Sequence, residues 1–360
     1  MSRLVMRQAE QGNSAALAAL SAAAPMGGVI RLSFERDPDF FAASRVQTTH
    51  PEIIAGFAPN GRALGMFSAG IAPIHAGTEQ LDMRYLSDLR IDPSIRQGVW
   101  LARGFRHLRE HVFRPGEWAR TLILEENREA LRLLTSGRAG LPVYHPAGRY
   151  VSLMLTAPVK SSNSRLRIRL ATAADLPLME QLRREEAAKR WGTSACGLTG
   201  LGSEPSWQGL HLEDIHIAED DQGLAGFAGL WDQQAFRRIR IDGYSRSLGA
   251  IRPLVNLGAR LFSRPALPPV GKILPVVHLG PMACRDSDPR ILRALLEFVT
   301  RREVLKGRIL LAGFGLTDPL LSAFGGIPAR RDYGRHFLVG FDGSSPALPD
   351  LPLAFEVGRI

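Results

Sequence analysis

The alternation of hydrophobic and polar positions divides the chain into two halves with a similar order of strands and helices. In the first half, apolar runs predict strands, and apolar residues spaced by about 3.6 predict helices. The predicted strands are 28–35, 52–58, 63–72, 80–91, 121–124 and 141–155, and the predicted helices are 38–45, 97–113 and 128–135. Asn60-Gly61 predicts a hairpin turn between two of these strands.

The second half repeats this order with residues that are hardly alike. Its predicted strands are 166–171, 214–219, 224–232, 273–284, 308–313 and 334–341, and its predicted helices are 176–188, 290–306 and 319–324. Thr172 is the expected N-cap of the first helix, with Asp175 three residues later. Strands interspersed with helices predict an α/β fold in which each half is a mixed central sheet flanked by helices.

A polar segment that contains proline and serine separates the two halves, as expected for a chain of 360 residues. The predicted organisation is a flexible lead-in (1–27), an N-terminal domain (28–156), a linker (157–165), a C-terminal domain (166–345) and a tail (346–360).

The C-terminal half contains a basic amphipathic insertion at 236–272. Within 248–262, apolar residues recur at roughly helical spacing from Ile251 to Phe262, which predicts a helix. Pro253 and Gly258 are unfavourable inside a helix, so a start as late as Pro253 is the alternative. Such a helix suits an anionic membrane surface or a lipid-like substrate. The alternative is that its apolar face packs on its own sheet.

The net charge of +10, mostly from arginine, suits polyanionic partners such as nucleic acid, an acidic membrane or a phosphate-bearing cofactor. No helix-turn-helix, zinc module or stacking-aromatic pattern accompanies it, so nucleic acid is an unlikely partner. Cys196 and Cys284 lie far apart without metal-ligand spacing, which indicates no metal site and a reducing, cytoplasmic location. No apolar run reaches the roughly 18 residues of a membrane span.

Two motifs in the first half carry candidate chemistry. The apolar strand 80–91 is followed by Pro93, the basic turn Arg96-Gln97-Gly98-Val99 and an amphipathic helix. A helix N-terminus of this kind offers free N–H groups and a favourable dipole to a pyrophosphate. After the apolar strand 121–124, a second helix opens with Glu126-Asn127 and continues through Ala130.

These motifs, at 85–103 and 126–134, resemble the GNAT superfamily of acyl-CoA-dependent N-acyltransferases, and the order of elements predicts a tandem of two such domains. The resemblance implies acetyl-CoA or another acyl-CoA as co-substrate and a primary amine as acceptor. The residues that it implies for cofactor binding are Leu89, Arg90, Ile91, Arg96, Gln97, Gly98, Val99, Asn127 and Ala130. Capping of its own helix is the alternative role for Asn127.

The acylation step needs a base that accepts a proton from the amine and an acid that gives a proton to the departing thiolate. Asp88, a carboxylate in an otherwise apolar strand, and Glu126 are the candidate bases. A salt bridge to Arg84 or Arg90 is the alternative for Asp88, and helix capping is the alternative for Glu126. The N–H of Leu89 or Arg90 is the candidate for polarising the thioester carbonyl.

The candidate general acid is a nearby tyrosine. Leu134 stands where many GNAT members carry the tyrosine that protonates the thiolate, so the resemblance leaves the general acid unassigned. Tyr144 and Tyr85 are the nearest tyrosine hydroxyls in sequence, and we select Tyr144 as the candidate.

The corresponding loop of the second half, 285–290, has no glycine and two acidic residues, which repel a diphosphate. We therefore expect this half to shape the acceptor site, and His278 in its apolar strand to be a core histidine or a base. The predicted function is acyl transfer from CoA to a primary amine. The alternatives are action on a lipid or long-chain amine at a membrane surface, and a non-catalytic acyl-CoA sensor.

Overall fold

The computed structural model describes residues 5–23, 29–95, 100–138, 140–155, 157–160, 164–261, 266–341 and 347–360. Within these ranges the strands are β1 Val5–Gln8, β2 Ile30–Arg36, β3 Ile53–Phe57, β4 Ala63–Ser68, β5 Ile71–Ala76, β6 Glu79–Ile91, β7 Trp118–Leu124, β8 Val143–Leu155, β9 Arg167–Leu170, β10 Trp191–Ser194, β11 Ile215–Asp220, β12 Gly223–Trp231, β13 Arg237–Tyr244, β14 Val276–Cys284, β15 Ile309–Gly315 and β16 Arg330–Gly340. The α-helices are α1 Ser14–Ala23, α2 Phe40–Ser44, α3 Trp100–His107, α4 Arg128–Leu134, α5 Leu176–Ala187, α6 Arg246–Leu261, α7 Pro289–Val299 and α8 Arg302–Leu305.

Strands of both halves join in one mixed sheet, in the order β1-β3-β4-β6-β7-β16-β8-β15-β14-β12-β11-β9. At its centre the last strands of the two halves are exchanged: β16 pairs with β7 of the first half, and β8 pairs with β15 of the second. β8 and β16 also pair with each other along almost their whole length. Each half is thus completed by a strand of the other, and helices flank the sheet as predicted.

Two predicted elements are each divided in the structure. The single strand predicted at 63–72 is β4 and β5, because β4 pairs with the end of β6 while β5 pairs with its beginning. The single helix predicted at 290–306 is α7 and α8. At the break, the buried Thr300 donates its hydroxyl hydrogen to the Leu296 carbonyl (2.7 Å) and accepts one from the Val159 N–H (2.9 Å), a competition that interrupts helices.

The predicted lead-in and tail contain buried residues. β1 pairs antiparallel with β3, and α1 buries Leu17 and Leu20, so the description of 1–27 as flexible does not hold for its described part. At the other end of the chain, Leu353, Phe355 and Val357 lie in the core. Both segments are ordered because burying these apolar side chains is favourable.

A separate two-stranded ribbon is formed by β2 and β13, one strand from each half. It leads into α6, which begins at Arg246 and not as late as Pro253. The reason is a cap that precedes the proline: the N–H of Leu248 donates to Ser245 Oγ at 3.3 Å.

Candidate functional site

The parallel strands β6 and β7 pair over a short stretch and then separate. The pairs run from Arg84–Ala119 to Leu86–Thr121, where the Thr121 hydroxyl donates to the Leu86 carbonyl at 2.8 Å. Beyond this point, residues of both strands line a cavity of about 300 Å³. The separation opens the sheet without breaking it, because β6 continues to pair with β4 on its other side.

A β-bulge on β6 lies directly at this opening. Its ladder with β4 shifts between Met66–Arg90 and Ser68–Ser87, so that Asp88 and Leu89 together face a single residue of β4. Asp88 has φ 53°, in the left-handed region that aspartate tolerates better than most residues. The bulge takes backbone groups out of the ladder at the edge of the cavity.

Two helices of the first half form the walls of this part of the cavity. The residues that they contribute are Trp100, Leu101, Gly104, Phe105 and Leu108 from α3 and its continuation, and Asn127, Ala130 and Leu134 at the start of and along α4. Asn127 caps α4 by accepting the N–H of Ala130 at 3.2 Å, so its capping role is present, and its side chain also borders the cavity.

The start of α3 is fixed by the Trp100 ring. The indole lies on Gly65 of β4 so closely that a Cβ at this glycine would overlap it. The sequence-predicted cofactor residues Arg96, Gln97, Gly98 and Val99 lie immediately before Trp100 and outside the described residues.

Asp88 is paired with an arginine that the sequence analysis did not select. Arg36 of β2 lies 2.6 Å from its carboxylate, and the alternative partners Arg84 and Arg90 were wrong. Arg36 also donates to Ser44 (2.6 Å) and Gln47, so the guanidinium is held rigidly.

The other two arginines of β6 have different environments. Arg84 forms ion pairs with Glu52 (2.7 Å) and Glu117 (2.9 Å). Arg90 borders the cavity, and its buried Nε has no hydrogen-bond partner among the described residues. Burial lowers the pKa of the Arg90 guanidinium.

Three tyrosines border the cavity. Burial raises the pKa of Tyr85 to about 12 and also raises the pKa values of Tyr144 and Tyr150. Tyr144 packs edge-on against Phe337, and Tyr150 stacks on Phe355 with ring centroids 4.0 Å apart. All three hydroxyls therefore carry their proton at neutral pH and are hydrogen-bond donors.

The second half adds polar groups that the sequence analysis missed. Arg237 of β13 donates to Gln233 (2.9 Å), to the Gly358 carbonyl (3.0 Å) and to the Ile360 carbonyl. Burial and the nearby Arg36 lower the pKa of Arg237 to about 9, so it stays charged at neutral pH. The only feature of the sequence that pointed to Arg237 was the run of arginines at the start of the insertion.

His278, weighed as a core histidine or a base, borders the same cavity. Its Nδ1 lies 3.3 Å from the Trp231 carbonyl. Burial, with Arg237 nearby, lowers the pKa of His278 to about 4, so the imidazole is neutral at neutral pH.

The predicted site residues are only partly brought together. Asp88, Leu89, Arg90, Asn127, Ala130 and Tyr144 border the cavity. Glu126 is exposed and does not border it. Ile91, at the end of β6, does not border it either. Glu125, which precedes Glu126 in the chain, forms ion pairs with Arg149 at 2.9 Å and Arg335 at 3.3 Å.

The corresponding opening of the second half, between β14 and β15, is largely filled by the chain itself, and the cavity left there has a volume of only about 70 Å³. These strands pair from Val276–Ile309 to His278–Leu311. Beyond that point Phe355 packs so tightly that a Cβ on Gly313 would lie 2.6 Å from its ring. Together with the two acids of the 285–290 loop, this packing leaves the first half as the candidate cofactor site.

The described residues show two further features. No group of three or more His, Cys, Asp or Glu side chains among them is arranged to hold a metal ion. No helix in the described ranges is long and apolar enough to cross a bilayer.

Comparison with known proteins gives similarity in structure only. No protein-family model matches the sequence, and no curated protein matches it significantly. Saccharomyces cerevisiae N-myristoyltransferase with bound myristoyl-CoA and inhibitors is 10% identical, with a TM-score of 0.58 over 100% of this chain and 87% of that chain. The same enzyme with bound myristoyl-CoA gives 10% identity and 0.56, over 96% and 84%.

A GCN5-related N-acetyltransferase from Anabaena variabilis is 12% identical, with a TM-score of 0.50 over 94% of this chain and 73% of that chain. At such low identity these likenesses report the fold alone. The resemblance noted in the sequence is confirmed at that level: this chain has the GNAT fold that N-acetyltransferases and N-myristoyltransferase share.

Proposed function

We propose that this protein is an acyl-CoA-dependent N-acyltransferase that transfers an acyl group from a CoA thioester to a primary amine. The observation that carries this proposal is the opening between β6 and β7, with a backbone bulge at Asp88–Leu89 and walls formed by α3 and α4. A narrow slot beside displaced backbone N–H groups suits a thioester arm, whose carbonyl needs donors at the reacting carbon.

In this proposal the co-substrate lies with its pantetheine arm between β6 and β7. Asn127 and Ala130 border the arm, and residues 96–99, which the sequence predicts to form a basic turn, receive the diphosphate together with the start of α3. The Gly65–Trp100 contact supports this role because it fixes the helix start against the sheet.

The reaction requires a proton to leave the amine and a thiolate to be released. Asp88 accepts the ammonium proton, directly or through water, and the amine nitrogen then bonds to the thioester carbon. The N–H of Leu89 or Arg90 stabilises the negative charge on the carbonyl oxygen. After the attack the nitrogen carries one extra proton. As the C–S bond breaks, this proton passes, directly or through water, to the departing thiolate, which the Tyr144 hydroxyl stabilises by donating a hydrogen bond.

The extent of the cavity favours a donor longer than acetyl. It continues past Asp88 to apolar side chains of the ribbon and the second half, namely Phe34, Ile239, Leu311 and Val357. An acetyl group would leave this apolar lining without contacts, whereas a longer chain would bury it.

The testing experiment is calorimetric titration of the full chain with acetyl-CoA and with a long-chain acyl-CoA, followed by a free-thiol assay with a panel of amines. Tight binding of the longer donor with amine-dependent thiol release supports the proposal. Binding without release for any amine favours the acyl-CoA sensor. No binding of either donor overturns both.

A matched pair of variants on α4 locates the bound donor. Ala130→Trp places an indole in the slot and is expected to weaken acyl-CoA binding by at least about tenfold. Arg132→Trp, at an exposed position of the same helix, is the control and should bind like the wild type. Equal binding by the two variants would place the donor elsewhere.

A further inference from the structure

The helix α6 has its polar side toward the protein and its apolar side toward solvent. Its apolar side chains are between 39% and 73% exposed, namely Ile251, Leu254, Val255, Leu257 and Leu261. At about 100° per residue they share one broad face. The alternative that this face packs on its own sheet is therefore wrong.

The opposite face of α6 contacts the segments that precede and follow it in the chain. Asn256 donates to the Leu267 carbonyl (3.1 Å) and accepts the Leu267 N–H (2.7 Å). The Arg252 guanidinium lies 5.3 Å from the centre of the Tyr244 ring, and Ala259 is buried. These contacts hold the polar face of α6 against its neighbours. The five apolar side chains, here called the stripe, are exposed as a consequence.

The charge around this helix identifies the surface that it fits. From residue 243 to residue 272 the sequence has no acidic residue, but it has the basic residues Arg246, Arg252, Arg260, Arg264 and Lys272. On the neighbouring ribbon, Glu35 and Asp37 form ion pairs with Arg240 (2.5 Å) and Arg238, and Asp242 accepts a hydrogen bond from Ser33. A partner that contacts α6 therefore meets an exposed apolar stripe in a part of the chain where basic residues outnumber acidic ones.

We propose that α6 is an interfacial helix that docks this protein on an anionic lipid bilayer. The five apolar side chains enter the boundary between headgroups and acyl chains, and Arg246 and Lys272 lie among the anionic headgroups. The contacts of Asn256 with Leu267 and of Arg252 with Tyr244 hold the helix in place while its stripe is buried in lipid. This docking adds a location to the proposed chemistry and does not depend on it.

The first test is flotation of the full chain with vesicles of phosphatidylcholine, alone or mixed equally with phosphatidylglycerol. We expect binding to the mixed vesicles that weakens with salt. Leu254→Ser/Leu257→Ser should weaken it by on the order of tenfold or more. Arg246→Gln should weaken it by about fivefold, the effect of one basic residue near a charged surface.

The matched control is Leu178→Ser, because Leu178 is a similarly exposed leucine on α5, outside the proposed stripe. It should float like the wild type. All of these positions are exposed, so the variants should unfold at the same temperature as the parent chain. Failure of the wild type to float, or equal flotation of Leu254→Ser/Leu257→Ser, would overturn the proposal.

A second measurement reports the depth of the helix directly. Both native cysteines are buried, so Leu257→Cys can be labelled selectively with an environment-sensitive fluorophore. Its emission should shift to the blue with mixed vesicles, whereas labelled Leu178→Cys should not respond. A dimer that depends on Leu254 and Leu257, in the absence of vesicle binding, would assign the stripe to a second copy and reject the lipid surface.

Discussion

The carboxylate of Asp88 lies 2.6 Å from the guanidinium of Arg36, which links the bulge of the central sheet to the separate β2–β13 ribbon. Among the described residues, no strand pairing connects the ribbon with the central sheet, so this ion pair is a direct side-chain link between them. Because Arg36 is buried and Asp88 borders the cavity, the ion pair positions the carboxylate and keeps it from turning away.

Asp88→Asn is expected to lower kcat by roughly a hundredfold to ten-thousandfold, the usual effect of losing a general base. Asparagine tolerates the left-handed backbone, so the bulge should persist. Steady-state kinetics with the best amine, together with acyl-CoA titration, would show a loss of rate with little loss of donor binding. Glu126→Gln, at an exposed site, is the control and should be fully active.

The same substitution leaves the buried Arg36 without its carboxylate, which lowers stability. Adding Arg36→Gln should restore the unfolding midpoint and leave kcat low. If Asp88→Asn alone turned over at the wild-type rate, Asp88 would not be the base.

Tyr144→Phe is expected to lower kcat by about tenfold or more while the KM for acyl-CoA is unchanged. The ring keeps its packing on Phe337, so only the hydroxyl is lost. The decrease should be smaller for a donor with a more acidic leaving thiol, since that thiolate needs less stabilisation. Tyr150→Phe is the comparison variant, and equal decreases for both would argue against a specific role of Tyr144.

Gly65→Ala is expected to weaken acyl-CoA binding because the new methyl group displaces the Trp100 indole and with it the start of α3. Calorimetric titration should show at least about a tenfold loss of affinity. The double variant Gly65→Ala/Trp100→Leu should recover part of it by making room. Gly12→Ala, whose Cβ would meet nothing within 4 Å, is the control.

His336→Phe is expected to reduce the loss of stability in acid. Burial lowers the pKa of His336 from 6.5 to about 3, and its ring stacks on Trp191 at 4.9 Å. Between these values the unfolded chain binds a proton that the folded chain does not. The folded state therefore loses up to about 1.4 kcal/mol per pH unit as the pH falls through this window.

Urea unfolding across the acid range would measure this difference between the wild type and His336→Phe. The phenylalanine keeps the stacking and removes the titration, so the variant should lose stability less steeply below about pH 6.5. Identical slopes would mean that His336 takes up a proton in the folded protein.

The sequence by itself determined the local features of this protein. The apolar periods of β6, α3 and α4, the Asn60-Gly61 turn and the Asn127 cap depend on neighbours within a few residues, so they were readable from the chain. The motif of strand, turn and helix pointed to the GNAT fold, and the arginine-rich insertion to an anionic partner. Asp88, singled out as a carboxylate within an apolar strand, borders the cavity.

The tertiary structure alone decided which distant residues meet. The exchange of β8 and β16, the pairing of Asp88 with Arg36 and the approach of Arg237 and His278 to the cavity join residues far apart in the chain. No local period encodes such contacts, because they follow from which strands pair and in which register. The exposed stripe of α6 is of the same kind. Its amphipathic pattern is visible in the sequence, but the Asn256 and Arg252 contacts determine which face the protein covers.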